Sequence, residues 1–169
     1  MSVSSIGKRV EGLEFTEAPL WRDKYLMTHH ADMPKSWFEK NGFNDVEAIA
    51  EEIDRWHRSR SRPFALIGYH YVVCGNEVFE TNRIGMKSAA HCLGTMNREA
   101  IGICIVNKGT EDALLPEEIG VIKALYDFLG SKAIVFHRDY VGTTCPGDVF
   151  LDSLMASELA PLVQRNVNV

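Results

Sequence analysis

The stretch Ala100–Asn107, AIGICIVN, does most to limit how this chain folds. It is a dense apolar run of strand length, which suits the centre of a sheet covered on both faces. Such a strand needs helices on either side, and two amphipathic patterns are present. In DVEAIAEEIDRWHRSR, Val46, Ile49, Ala50, Ile53 and Trp56 fall at helical spacing, and the charges between them form the solvated face. Asn44 reads as its N-cap, with Glu47 three residues on. In PEEIGVIKALYDFLG, Pro116 opens a second helix, acids fill its first turn and Gly130 closes it.

Further strand patterns surround these helices. KYLMTHH reads as a short buried strand ending in two histidines, followed by a turn at Pro34. FALIGYHYVV and EVFET read as strands joined at Gly75-Asn76. AIVF is another buried strand and delivers His137 at its end, and Asp148 is placed to cap a last helix through VFLDSLMASELAPL. Strands alternating with helices predict a single α/β domain, a central mixed β-sheet flanked by helices, over residues 21–169. Residues 1–20 lack clear periodicity and read as an N-terminal arm or loop.

Composition narrows the function classes. The 169 residues are enough for one domain with a real core, and 46% hydrophobic and 24% charged content is ordinary for a globular chain. A net charge of -5 gives no reason to expect nucleic acid and disfavours an acidic membrane surface. No apolar stretch approaches the roughly 20 residues that span a bilayer. The first residues contain no apolar signal core, so secretion by the usual route is not expected. Cys74, Cys92, Cys104 and Cys145 show no CxxC spacing and do not form a disulfide framework. The first three read as small core residues, whereas Cys145 sits among polar turn residues.

The segment FHRDYVGTTCPGD sets His137 and Cys145 together in a turn too rich in glycine and proline for one regular helix. A thiolate beside an imidazole suits nucleophilic catalysis, and the same groups suit zinc. His29 also ends a strand pattern. If the two strands are neighbours, His29, His137 and Cys145 converge as three ligands with a fourth position open.

Four segments resemble, in order, the zinc-dependent N-acetylmuramoyl-L-alanine amidases of the phage-lysozyme and peptidoglycan-recognition-protein superfamily. They are LMTHHAD, IGYHYVV, AAHCLGTMNREAIGICIVNKG and FHRDYVGTTCPGD, and they cover roughly Tyr25 to Phe150. The resemblance implies an amidase-like α/β fold, a Zn2+ cofactor held by His29, His137 and Cys145, and a catalytic tyrosine at Tyr69. It places His91 and Asn97 in the substrate groove. Motif position favours His29 over His30 as the ligand. Position 143 often carries a lysine in phage members, and Thr143 here resembles amidase-active recognition proteins. Its hydroxyl is expected to hydrogen-bond the substrate carbonyl without supplying a charge. His70 is expected on the strand face opposite Tyr69, and His57 on an ordinary helix face. Arg138 and Asp139 are expected to pair locally, with Asp139 also available to support a ligand.

The implied substrate is peptidoglycan, cut at the amide between the lactyl group of N-acetylmuramic acid and L-alanine. The alternatives are a cysteine hydrolase using Cys145 and His137, and a catalytically silent peptidoglycan receptor. The implied setting is a monomeric phage or prophage endolysin, made in the cytoplasm and acting on the cell wall after release.

Overall fold

The computed structural model describes residues 6–16, 24–90 and 95–166. Six strands form one mixed sheet: β1 (Gly7–Val10), β2 (Tyr25–His30), β3 (Tyr71–Cys74), β4 (Glu77–Thr81), β5 (Ala100–Ile105) and β6 (Ile134–Phe136), in the order β1-β4-β3-β5-β2-β6. The β3-β5-β2-β6 neighbours are parallel, and β1-β4-β3 are antiparallel. The apolar AIGICI stretch lies inside this order, buried along its length. Part of the expected arm is a strand, since Gly7–Val10 pairs with β4 at the sheet's edge. Residues 1–5 and 17–20 of that expectation lie outside the described residues.

Successive residues of a strand face opposite sides, and β5 is covered on both. Ile101, Ile103 and Ile105 pack with Val121, Ile122 and Leu125 of α4 (Pro116–Leu129) and with Phe150 and Leu154 of α5 (Asp148–Met155). Cys104, with Val72 and Cys74 of β3, packs with Phe38 of α1 (Lys35–Lys40) and with Val46, Ile49 and Ile53 of α2 (Val46–Arg58). A smaller cluster joins Met27, Val135 and Ala100 to Met96 of α3 (Met96–Glu99).

Several local expectations shift by a residue or more. The N-cap of α2 is Asp45, whose Oδ1 accepts the Ala48 N–H at 2.8 Å, while the Asn44 amide donates to the Gly42 carbonyl. Helix α4 matches its pattern: Glu118 Oε2 accepts the Leu115 N–H at 2.9 Å, and Gly130 closes the helix at φ 57. Helix α5 starts at Asp148 after Gly147 and stops at Met155. The Ser157 hydroxyl donates to the Leu154 carbonyl and accepts the Leu159 N–H, a local alternative to continued helix. The FALIGYHYVV strand begins only at Tyr71, for a reason that lies in the site.

Asp45→Ala should destabilise the fold by about 1 kcal/mol, the usual loss of a capping side chain. Asn44→Ala should change it by less than about 0.5 kcal/mol. Urea denaturation of both variants checks the assignment, and equal losses would contradict it.

Candidate metal centre

Strand register brings the two histidines together. Met27 pairs with Val135 and Thr28 with Phe136 in the parallel β2–β6 ladder, so His29 and His137 come next on the same side. Their ring centroids are 4.5 Å apart. The 3-10 turn His137–Asp139 ends β6, and the chain then returns to place Cys145 Sγ 3.7 Å from His29 Nδ1. One donor atom from each of His29, His137 and Cys145 lies within 4.8 Å of the other two.

This donor set fits a zinc ion. Zn–N and Zn–S bonds of about 2.0–2.3 Å at a tetrahedral angle separate two ligand atoms by about 3.6 Å, close to the Cys145–His29 distance. His137 is buried, yet neither ring nitrogen has a hydrogen-bond partner among the described residues. Buried polar atoms without partners are costly and rare, and a ligand bond would satisfy one of them. Burial, and after it the charge on His30, lowers the His137 pKa to about 4, which keeps the imidazole in its neutral, ligating form near neutral pH.

The cysteine loop is fastened to its neighbours. The Arg138 N–H donates to the Cys145 carbonyl at 2.9 Å, and the Cys145 N–H donates to Thr143 Oγ1 at 3.3 Å. Gly109 lies so close beneath that an added Cβ would come within 1.8 Å of the Pro146 carbonyl oxygen, and Gly147 meets Gly109 from the other side at φ 99. Only residues without side chains permit this approach. His30 braces the same place from β2: its Nδ1 accepts the Gly109 N–H at 3.0 Å. The two adjacent histidines therefore have separate partners, His29 in the cluster and His30 in the loop that supports it.

The expected Arg138–Asp139 pair does not form. Arg138 pairs with Asp148, and the buried Asp139 accepts two bonds from Arg165, at 2.6 Å from Nε and 2.9 Å from Nη2. Arg165 also lies over the Phe136 ring, 5.4 Å from its centroid. These contacts draw the chain after α5 against the turn that carries His137.

Tyr69 borders the cluster, its ring centroid 5.0 Å from that of His29. Its hydroxyl hydrogen-bonds the Cys104 side chain, and Cys104 is the register partner of His29 across the β2–β5 ladder. Burial, then the nearby Cys145, raises the Cys104 pKa well above the usual thiol range, and the Tyr69 bond opposes that rise.

The backbone ahead of Tyr69 is held by side chains in place of a strand ladder. Asp54 Oδ1 accepts the Ile67 N–H at 2.6 Å, and His57 Nδ1 accepts the Gly68 N–H at 3.0 Å. Arg83 donates to the Ile67 carbonyl at 2.5 Å and to the Leu66 carbonyl at 3.1 Å, and the Ser88 hydroxyl donates to the Gly68 carbonyl at 2.9 Å. His57 is thus a buried acceptor whose ring lies 5.2 Å from Tyr69, and not part of an ordinary helix face. His70 is buried, and its backbone still joins both neighbouring strands, donating its N–H to the Gly102 carbonyl and accepting the Thr81 N–H, each at 2.9 Å. Its Nδ1 accepts the Gly102 N–H at 3.0 Å, and its Nε2 donates to the Met86 carbonyl at 2.8 Å. The sequence signal for this framework was weak: Asp54 and His57 sit three apart on α2, but nothing local shows that they are buried.

Asn97 lies half-buried on α3, and its carbonyl accepts the Ser88 N–H at 2.9 Å. His91 and Cys92 lie outside the described residues.

The mixed six-stranded sheet, with two histidines at adjacent parallel strand ends and a cysteine loop closing over them, is an α/β fold of amidase type carrying a cluster that could hold a metal ion. Residues 21–148 match the N-acetylmuramoyl-L-alanine amidase family, and the chain belongs to it. A human N-acetylmuramoyl-L-alanine amidase is 29% identical over an alignment of 141 residues that covers 77% of this chain and 23% of the human protein. Among solved structures, the Clostridium intestinale endolysin amidase LysCS superposes with a TM-score of 0.61 at 17% identity, covering 86% of this chain and 87% of its own. Peptidoglycan recognition protein-LE, solved with tracheal cytotoxin, superposes with a TM-score of 0.67 at 19% identity, covering 82% of each chain. At these identities the structural likeness is one of fold.

Burial lowers the pKa values of His57 and His70 from 6.5 to about 4. The unfolded chain takes up these protons below about pH 6.5, and the folded chain only near pH 4. Stability that is fully present above pH 6.5 should therefore be lost as the pH falls toward 4. Urea unfolding midpoints between pH 7 and 4.5 test this, and midpoints that hold or rise on acidification contradict it.

Proposed function

We propose that this chain is a zinc-dependent N-acetylmuramoyl-L-alanine amidase that hydrolyses peptidoglycan between the lactyl group of N-acetylmuramic acid and L-alanine. The observation that carries the reading is the convergence of His29, His137 and Cys145, with the His137 ring nitrogens buried and unpartnered among the described residues. Zinc bound there supplies Lewis acidity, polarising the scissile carbonyl and lowering the pKa of a water toward about 7.

The chain's own residues do the rest. His29 and His137 would hold the ion through ring nitrogens, and Cys145 would hold it as a thiolate that offsets part of its charge. Tyr69, beside His29, orients the attacking water and relays its proton. The water oxygen adds to the carbonyl carbon, the C–N bond breaks, and the proton ends on the departing L-alanine nitrogen. Thr143 Oγ1 already accepts the Cys145 N–H, which leaves its own O–H to donate toward the substrate carbonyl. His91 and Asn97 are assigned to substrate contacts along the groove. The biological role proposed is that of an endolysin, made in the cytoplasm and acting on the wall as a monomer after release; LysCS, whose fold this chain shares, is named an endolysin.

Digestion of defined peptidoglycan with and without a chelator, followed by mass spectrometry of the new ends, tests the reaction. Free L-alanyl termini that vanish on chelation and return with zinc are expected. Full activity in metal-free protein would instead favour a cysteine hydrolase.

The purified protein should hold about one zinc per chain. Cys145→Ser should fold, lose most of its zinc and lose activity; an inactive variant with undiminished zinc would remove Cys145 from the ligand set. His29→Ala should also lose zinc. His30→Ala should keep it but lose about 1–3 kcal/mol of stability, because the buried Gly109 N–H loses its acceptor.

Tyr69→Phe should retain zinc and fold while turnover drops on the order of 10²-fold. An unchanged rate would make Tyr69 a packing residue only.

A further inference from the structure

Both ring nitrogens of His137 are buried without a hydrogen-bond partner among the described residues. A ligating histidine is ordinarily oriented by a hydrogen bond at its second nitrogen, so the aim of this ring falls to the backbone that carries it. That backbone is short and peripheral. β6 has three residues and stands last in the strand order, and the 3-10 turn His137–Asp139 follows it directly.

The chain after α5 supplies what β6 lacks. Val163 bridges Ile134 in parallel, and the Gln164 N–H donates to the Ile134 carbonyl at 2.9 Å, so this segment runs along the edge of β6 away from β2. The next residue, Arg165, reaches the turn. Its Nε and Nη2 each donate to one oxygen of Asp139, and its guanidinium lies over the ring of Phe136, just before His137. A two-pronged pair of this kind fixes direction as well as distance. The Asp139 side chain is 5% exposed and that of Arg165 40%, so the carboxylate is the member that depends on the pair. Without Arg165 a buried charge would be left uncompensated, and Asp139 would reach water only by moving the three-residue turn. His137 opens that turn. Arg138, its middle residue, donates its N–H to the Cys145 carbonyl at 2.9 Å. Displacing the turn therefore disturbs two members of the His29, His137 and Cys145 cluster.

We propose that Arg165 is a positioning residue for the metal centre: through Asp139 it holds the 3-10 turn so that His137 and Cys145 stand ready before an ion arrives. The ligand part of this inference rests on the zinc reading above; the hold on the turn does not.

Amide hydrogen exchange of the metal-free protein and zinc competition against a chromophoric chelator test the proposal. Arg165→Leu keeps an apolar contact with Phe136 and removes both bonds, whereas Arg165→Lys keeps the charge without the fork. Asp45→Ala, which removes the α2 cap, is the control for lost stability alone. The Tyr140 N–H donates to the His137 carbonyl at 3.1 Å, and the Val106 N–H to the Val73 carbonyl at 2.8 Å. In Arg165→Leu the Tyr140 and Arg138 amides should exchange faster by about tenfold or more, while the Val106 amide keeps its rate. Zinc affinity should fall on the order of 10- to 100-fold, the usual cost of losing a partner behind a ligand. Arg165→Lys should lie between Arg165→Leu and wild type, and Asp45→Ala should match wild type at Tyr140 and in zinc affinity. Unchanged Tyr140 exchange in Arg165→Leu, or an equal rise in Asp45→Ala, overturns the hold on the turn. Faster exchange with undiminished zinc affinity overturns the positioning of the ligands. A wild-type protein that takes up no zinc overturns the zinc reading and the ligand part with it, and Tyr140 exchange then still decides whether Arg165 holds the turn.

Discussion

The parallel pairing of β2 with β6 is the constraint on which the site depends. Backbone hydrogen bonds fix that register along Leu26–Ile134, Met27–Val135 and Thr28–Phe136, and side-chain alternation then leaves no freedom in where His29 and His137 emerge. Two residues more than a hundred positions apart meet at 4.5 Å between ring centroids because the sheet has already lost the entropy of bringing them together. The metal-type cluster therefore needs little further ordering beyond one loop. That loop closes because Gly109 and Gly147 let two backbones touch where any Cβ would collide. His30 ties the strand to the same loop through Gly109. The two histidines of the HH pair thus divide the work, one facing the cluster and the other fixing the backbone against which the cysteine loop rests.

Tyr69 is placed by different means. The residues before it leave the sheet ladder, and their backbone groups are met by Asp54, His57, Arg83 and Ser88. This framework is polar and buried, so removing Asp54, His57 or Arg83 would leave a backbone N–H or carbonyl without that partner away from water. It also accounts for neutral histidines in the interior, since an imidazole whose Nδ1 must accept a backbone N–H cannot carry a second proton there. The chain belongs to the N-acetylmuramoyl-L-alanine amidase family, and the reaction proposed for it would give a phenol beside the His29, His137 and Cys145 cluster a use.

What could be read from the sequence follows from range. The apolar run at Ala100–Asn107, the helical spacing of Val46 to Trp56 and the Pro116-to-Gly130 helix are local periodicities, and they correspond to β5, α2 and α4 because burial of a face leaves a repeat that neighbouring residues alone display. The grouping of His29, His137 and Cys145 came from strand ends and from family resemblance, and the chain folds so that the three meet. The cap at Asp45, not Asn44, the late start of β3 and the strand at Gly7–Val10 were not legible, because each is decided by a partner. A residue's own neighbours do not say whether its N–H will find a ladder or a carboxylate.

The same limit separates the polar residues. From the sequence alone, His57 resembles any charged-face residue of a helix, Asp139 a partner for Arg138, and Asn107 the polar end of a strand. Only the tertiary structure turns His57 inward to Gly68, gives Asp139 to Arg165, and leaves Asn107 buried with no partner among the described residues. Sequence by itself determined which segments are apolar enough to be strands and helices, and which side chains have metal-ligand chemistry. Tertiary structure decided which polar groups lose water and what replaces it, because that depends on contacts between residues far apart in the chain.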